Sequence, residues 1–434
     1  MLNSKKSFII TLILTFLSGC ATSQPVRLGQ DGLSLNLERT EDKVLSESRK
    51  SEEYLEKNGA LYHDVKLETY LNEIGRKIAP THLENKDVNF QFKIIRDPTI
   101  NAFAAPTGKI YLHTGLLARL QNEAQLAIVL GHEISHVINR DQVYFIDSYH
   151  KKTITAKILD LAITPGYAFI GGLNDLVGLG LGIGYVASVT GYSRELEERA
   201  DKEAIKLVSK QNYDLKEGIK IFDIFLQEHE KYKRGIEIYF LSSHPSNKSR
   251  QKESNLLVEN QFKNYNGQTI NQEKFQALVE KIKCENALMN VAISRYYHAL
   301  DNLEYLVKNQ TNNPIVHYCL AEVYRTMAEN PDRLKDELSS KEWEKIKDKT
   351  KEQRTTEYQN KALEEYKVAL TLDKDFFDAY KGLGLLCLKT SKNEDAIYYL
   401  EKYLGLNPQA KDKRFVTAQL LKLKPADITN KEIK

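Results

Sequence analysis

The apolar and polar positions along the chain predict a mainly helical protein with one small region of strands. Apolar residues recur at helical spacing from Leu67 to Ile78 and predict helix over residues 41–80, which Pro80 ends. Residues 88–94 alternate between apolar and polar side chains, which is typical of a half-buried strand.

A second extended pair follows. Residues 101–105 and 109–113 flank the turn Pro106-Thr107-Gly108, so we expect a small antiparallel sheet. The clearest helix of the first half spans residues 115–140, where apolar residues form one continuous side.

From about residue 280 onward the chain is helical and repetitive. Residues 379–408 carry aromatic, Leu-Gly, Ala, apolar and Pro positions at the spacing of a tetratricopeptide repeat (TPR). Residues 320–369 look like another repeat with a charged insert, and residues 285–308 like a weaker one; unrelated amphipathic helices are the alternative. Such units stack, so we expect a TPR-like domain over residues 280–425 whose concave face binds a protein partner.

Residues 153–192 differ from their surroundings because they are rich in glycine and poor in charge. Such a stretch suits a loose lid, a buried plug or a segment that touches a membrane surface. Glycine destabilises an interfacial helix, so packing over the first domain is the favoured interpretation.

The N-terminus indicates export. Lys5 and Lys6 precede an uncharged run that is too short to cross a bilayer, so residues 1–19 are interpreted as a signal peptide. Leu17 to Cys20 resembles a bacterial lipobox, which predicts lipidation of Cys20 and a tether over residues 20–40. Ala21 favours the outer membrane, facing the periplasm. An ordinary secretory signal is the alternative.

Composition excludes several classes of protein. The 434 residues include 62 Lys and Arg against 59 Asp and Glu, so the chain lacks the basic surplus of a nucleic-acid-binding protein. Cysteine is too sparse for a disulfide scaffold. We expect Cys284, Cys319 and Cys387 to be buried small residues, with one disulfide among them as the alternative.

The strongest chemical signal is His132-Glu133-Ile134-Ser135-His136 on the predicted helix. Two histidines four residues apart project from one side of a helix, so both can ligate one metal ion. Glu133 lies nearby and can reach a metal-bound water. Two unrelated surface histidines are the weaker interpretation.

A third ligand is expected from residues 193–201, at the start of a second helix. Glu197 and Asp201 share one face, so one carboxylate can ligate while the other accepts a hydrogen bond from a ligand histidine. On spacing alone, Glu195 and Glu198 are equally possible third ligands beside Glu197. The alternative is that this run is only a solvated charged face of the helix.

These residues resemble a known family. His132 to His136, followed by Glu197-x-x-Ala200-Asp201, is similar to the zinc metallopeptidases of the HtpX and CAAX prenyl protease type, over roughly residues 50–260. Ser193-Arg194 and His244-Pro245 with Arg250 resemble further family elements. With the lipobox and the repeats, the architecture is similar to that of periplasmic BepA-type proteases.

The resemblance implies an α+β fold: a mainly helical zincin-type metallopeptidase domain over residues 41–265 with a small antiparallel sheet, followed by the all-α repeats. It implies one zinc ion per chain on His132, His136 and Glu197, with Glu133 catalytic. It places Asp201, Arg194 and Arg250 around the ligands. His244 would stabilise the oxyanion, occupy the open zinc position at rest, or merely cap a loop.

The expected activity is hydrolysis of peptide bonds in unfolded or misassembled envelope proteins, which the edge strand Asn101, Ala102, Phe103 and Ala104 would bind as an added strand. A non-enzymatic TPR lipoprotein adaptor is the alternative from another class, and a housekeeping peptidase for small peptides is a third possibility. No nucleic-acid partner is expected.

Overall fold

The computed structural model describes residues 25–151, 192–232, 247–308 and 312–423. The signal peptide, Cys20, His244 and all of the Gly-rich stretch except Tyr192 lie outside the described residues. Of the helices within the described ranges, none combines the length and the apolar content needed to cross a membrane.

The elements of the first part are helices α1 (Leu35–Lys57), α2 (Val65–Ile78), α3 (Thr114–Arg119), α4 (Glu123–Ile138), α5 (Asp141–Lys151), α6 (Arg194–Ser209), α7 (Leu215–Gly218), α8 (Ile221–Lys231) and α9 (Asn247–Gln261), with strands β1 (Gln91–Ile95), β2 (Ala102–Ala104) and β3 (Lys109–His113). The second part contains α10 (Gln272–Ala292), α11 (Tyr296–Lys308), α12 (Pro314–Glu329), α13 (Leu334–Glu337), α14 (Ser340–Glu344), α15 (Lys351–Leu372), α16 (Phe377–Lys389), α17 (Asn393–Leu406) and α18 (Lys413–Leu423).

The three strands form a mixed sheet in the order β1-β3-β2, so the expectation of a purely antiparallel sheet is wrong. The turn at residues 106–108 does join β2 and β3 as an antiparallel hairpin. However, β1 pairs with the far side of β3 in parallel. No tight turn links β1 to β3, because β2 lies between them in sequence, and this leaves their relative direction open.

Two helices predicted as continuous are each interrupted by a cap. Asp64 accepts hydrogen bonds from the backbone N–H groups of Lys66 and Leu67 and starts α2 anew after α1. Asn122 likewise accepts a hydrogen bond from the backbone N–H of Gln125, and this cap separates α3 from α4. An N-cap side chain satisfies orphan N–H groups, so it fixes a helix start inside an otherwise helical pattern.

The sheet is buried on both faces. Phe92, Ile110 and Leu112 belong to the main core, together with apolar residues of α2 and α4. On the other face, Phe103 and Tyr111 stack with ring centroids 5.1 Å apart and pack with residues of α1. The helix that carries the histidines is therefore held directly against the strands.

Residues 25–34, within the predicted tether, lie against the first domain. The backbone N–H of Leu28 donates to the carbonyl of Ile138 at 2.8 Å, and that of Val26 donates to the Tyr144 hydroxyl at 2.7 Å. Leu28 is buried because its apolar side chain joins the main core.

Helix α10 connects the two parts of the chain. Phe275, Val279 and Ile282 belong to the core of the first part, whereas Cys284 and Ala287 belong to the next core, formed with α11 and α12. Further along, α12 packs on α15 and α16 on α17. A Cβ on Gly382 would lie 2.3 Å from the Tyr366 ring, so glycine permits the close approach of α16 to α15. Cys284, Cys319 and Cys387 are buried free thiols.

A group of polar contacts ties the end of α8 to the second part. The Tyr232 hydroxyl donates to Asp301 at 2.6 Å, and Lys231 and Arg119 pair with the same carboxylate. The backbone N–H of Ser339 donates to the Lys231 carbonyl at 2.9 Å. Helices of the second part therefore hold the chain where α8 ends.

Glu123, the first residue of α4, is buried and accepts hydrogen bonds from the hydroxyls of Tyr70 and Tyr213 and from the amide of Asn271. We predict that Glu123→Ala lowers the free energy of unfolding by about 2–4 kcal/mol, because three buried donors lose their acceptor. Urea unfolding followed by circular dichroism measures the change. Glu73→Ala, at an exposed position of α2, is the control and should have little effect.

Candidate metal centre

Helices α4 and α6 bring three ligand-type side chains together. His132, His136 and Glu197 offer atoms that all lie within 4.8 Å of one another, and all three residues are buried. The Nε2 atoms of the histidines are 3.1 Å apart, and they lie 3.4 and 3.6 Å from the two Glu197 oxygens. This donor set could hold a metal ion.

The approach of the two helices depends on small residues. A Cβ on Gly131 would lie 3.2 Å from the Cα of Ala204, so glycine lets α6 pack closely beside the histidines. On α6, Glu197, Ala200, Asp201 and Ala204 are the buried face. The spacing that made Glu197 and Asp201 candidates therefore also turns both inward, while Glu195 is exposed.

Each histidine is oriented by a carboxylate on its other ring nitrogen. His132 Nδ1 lies 2.9 Å from Asp201 Oδ1, and His136 Nδ1 lies 2.8 Å from Asp141 Oδ2. A neutral imidazole that donates from Nδ1 keeps the Nε2 lone pair available, which is the usual arrangement around metal-bound histidine.

Arg250, on α9, joins the carboxylates of α6. Its guanidinium makes two contacts with Asp201, at 2.6 and 2.7 Å, and one with Glu197 at 3.1 Å. It is 1% exposed and lies over the Phe222 ring. Although burial opposes ionisation of Asp201, the charges of Arg250 and His132 lower its pKa to about 2.

The predicted role of Arg194 is wrong. Its side chain pairs with Glu198 and is largely exposed, because the first turn of α6 points it to solvent. The arginine of this helix that reaches the site is Arg199, which pairs with Asp141.

Sequence analysis missed Asp141, Arg199, Tyr192 and Gln142. The Tyr192 ring stacks on His136 with centroids 4.1 Å apart, and burial beside Asp141, Glu133 and Glu197 raises its pKa. Asp141 follows Arg140, whose left-handed backbone (φ 55°) turns the chain back beneath His136. A search for carboxylates just after the second histidine could have found Asp141.

The charge of the centre supports a divalent cation. At this centre, the described residues bring together four buried carboxylates and two guanidinium groups: Glu133, Asp141, Glu197 and Asp201 against Arg199 and Arg250. When both imidazoles are neutral, as they must be to ligate a metal ion, two negative charges are left in excess. Burial would lower the pKa of His132, but Asp201 and Glu197 outweigh it and raise this pKa to about 10. The site attracts positive charge.

The fold and the site together define the first part as a metallopeptidase domain. Residues 66–255 match the profile of Peptidase family M48, so this part of the chain is a Peptidase M48 domain.

Proteins of named function are similar to this chain over part of its length. The beta-barrel assembly-enhancing protease of Escherichia coli is 26% identical over 196 residues, which are 44% of this chain and 38% of that protein. Its Vibrio cholerae counterpart is 30% identical over 203 residues, or 46% of this chain and 41% of the relative. The mitochondrial metalloendopeptidase OMA1 of Arabidopsis thaliana is 30% identical over 176 residues, which are 40% of this chain and 32% of that protein. The matches span less than half of each relative.

We predict that Asp141→Asn lowers the affinity for Zn²⁺ about 10–100-fold, because the amide no longer holds the His136 ring as a carboxylate does. Competition with a chromophoric chelator measures the affinity. Glu198→Gln, which changes a carboxylate on the solvent side of α6, is the control. Equal affinities for both variants would contradict the role given to Asp141.

Proposed function

We propose that this protein is a zinc-dependent endopeptidase that hydrolyses peptide bonds in unfolded or misassembled proteins of the cell envelope. The observation that carries the proposal is the buried His132-His136-Glu197 group with Glu133 on the same helix. The M48 domain supports the reaction class. The substrate class rests on relatives named for beta-barrel assembly.

The donor set suits one zinc ion. Ligands at zinc bond lengths of about 2.0–2.1 Å in a tetrahedron lie about 3.3 Å from one another, close to the 3.1–3.6 Å separations of the donor atoms. Two imidazoles and a carboxylate leave a fourth position for water or substrate. When bound, zinc supplies the Lewis acid that polarises the scissile carbonyl and activates water.

The protein's own groups supply the remaining steps. Glu133 is 1% exposed and lies next to His132, where its carboxylate accepts a proton from the attacking water and returns it to the leaving amine. Arg250 fixes Glu197 and Asp201, so the ligands need not reorganise during the reaction. His244, which lies outside the described residues, is our candidate for stabilising the oxyanion.

The substrate is proposed to bind as a strand beside β2. The other edge of the sheet, at β1, is already paired. The backbone N–H of Tyr62 donates to the Ile94 carbonyl, and the backbone N–H of Arg96 donates to the Ala60 carbonyl. β2 is the opposite edge and adjoins α4. Main-chain pairing at an edge selects extended polypeptide over folded protein.

The helices after residue 292 are proposed to be TPR-like repeats that dock a protein partner, and Cys20 is proposed to carry a lipid that anchors the protein to the outer membrane on its periplasmic side. Successive helix pairs with shared cores support the repeats. The lipobox and the relatives named for beta-barrel assembly support the location.

We predict that Glu133→Gln retains zinc and loses about 10²–10⁴-fold in the rate of casein cleavage, because the amide cannot take up the proton. Metal analysis and a cleavage assay on the same preparation test this. Glu195→Gln, an exposed carboxylate on α6, should behave like wild type. Undiminished cleavage by Glu133→Gln would refute the role of Glu133, whereas absence of cleavage by the zinc-loaded wild type would favour the adaptor hypothesis.

Removal of the repeats should separate peptide hydrolysis from client selection. A chain that ends after Ala292 keeps Phe275, Val279 and Ile282 in the peptidase core. We expect it to cleave a short unstructured peptide and to lose cleavage of a misassembled outer-membrane protein. Equal cleavage of both substrates with and without the repeats would instead indicate a housekeeping peptidase.

A further inference from the structure

The edge of β2 has a defined set of outward-facing backbone groups. The backbone N–H of Ala105 donates to the Lys109 carbonyl, and that of His113 donates to the Asn101 carbonyl. On the β2 side of the hairpin, the odd-numbered residues are therefore the ones that bond with β3. Because bonding alternates along an antiparallel pair, the N–H and carbonyl groups of Ala102 and Ala104 point away from β3. These are the groups that an added strand would pair with.

One of these groups already has a partner. The side-chain amide of Gln142 donates from Nε2 to the Ala104 carbonyl at 3.0 Å. Within the described ranges, no other hydrogen bond is made to the outward groups of Ala102 and Ala104. Gln142 is 1% exposed and Ala104 2%, so the bond is shielded from water.

The position of Gln142 relates this bond to the metal centre. Gln142 directly follows Asp141, which orients His136, and Tyr192 lies between Gln142 and His136, stacked on the imidazole. The carbonyl that Gln142 occupies is therefore on the stretch of β2 that runs beside the candidate ligands.

We propose that Gln142 caps the edge of β2, and that its amide competes with a backbone N–H of the extended polypeptide substrate for the Ala104 carbonyl. The inference rests on the proposed peptidase function. An uncapped edge strand is a template for unwanted pairing, and a side-chain donor at Ala104 blocks that pairing until a substrate strand displaces it. Substrates that form several main-chain bonds can displace the cap, whereas short contacts cannot.

The size of the effect follows from one hydrogen bond. A net hydrogen bond corresponds to about a two- to tenfold change in an equilibrium constant. Removal of the Gln142 donor should therefore strengthen polypeptide binding by about that factor, since the substrate no longer has to displace it.

The test measures binding without cleavage. In the zinc-loaded Glu133→Gln full-length chain, fluorescence anisotropy gives the Kd for a fluorescein-labelled, carboxymethylated casein peptide. Gln142→Met keeps the side-chain length and removes the donor; Gln142→Asn keeps an amide that is too short to reach Ala104. We expect both to lower the Kd about two- to tenfold. Gln272→Met, which removes an exposed amide bonded to Tyr305, is the matched control and should leave the Kd unchanged.

An unchanged or higher Kd in both Gln142 variants would overturn the cap and leave the proposed function standing. Absence of peptide binding by the zinc-loaded Glu133→Gln chain itself would overturn the proposed function, and the cap with it. Zinc content is measured for every variant, so a lost metal site is distinguished from an altered edge.

Discussion

The excess of buried negative charge around two imidazoles is the constraint on which the rest of the domain depends. Carboxylates from α4, α5 and α6 meet in one place, and their repulsion would separate these helices unless cations hold them. Arg250 on α9 pairs with two carboxylates of α6, and Arg199 on α6 pairs with Asp141 of α5, so each of these positive charges joins two helices. In the proposed zinc-bound form, the ion would neutralise the remaining two charges, and metal binding would thereby stabilise the folded form of this region.

The parts of the site that sequence could predict are those with a helical period. His132 and His136, and likewise Glu197 and Asp201, are four residues apart, so one helix face presents each pair. Asp141 has no such period relative to the histidines, since it comes after the helix end and is placed by the left-handed residue Arg140. Spacing also cannot tell the half-buried Arg199 from the exposed Arg194 on α6, because that depends on which face α4 covers.

In the fold, too, features set by local sequence could be predicted, whereas features set by tertiary contacts could not. Strand positions and the β2–β3 hairpin follow from alternation and turn residues, but the parallel pairing of β1 depends on tertiary contacts with α2. The break before Asn122 depends on a single cap within an apolar run. Helix α10 belongs to two cores at once, so no shift in composition marks a boundary there. Unfolding of either part must expose apolar surface of the other.

The docked segment near Leu28 has a consequence for where the enzyme can work. Leu28 follows Cys20 by eight positions in the sequence, and a fully extended chain of eight steps reaches at most about 30 Å. Leu28 is bonded to Ile138, at the end of the helix that carries both histidines. In the proposed lipid-anchored form, this short tether keeps the end of the metal-binding helix close to the bilayer surface. The candidate metal centre can then act only on polypeptides that come close to the membrane. Proteins that diffuse far from the membrane are not cleaved, because they do not meet the site.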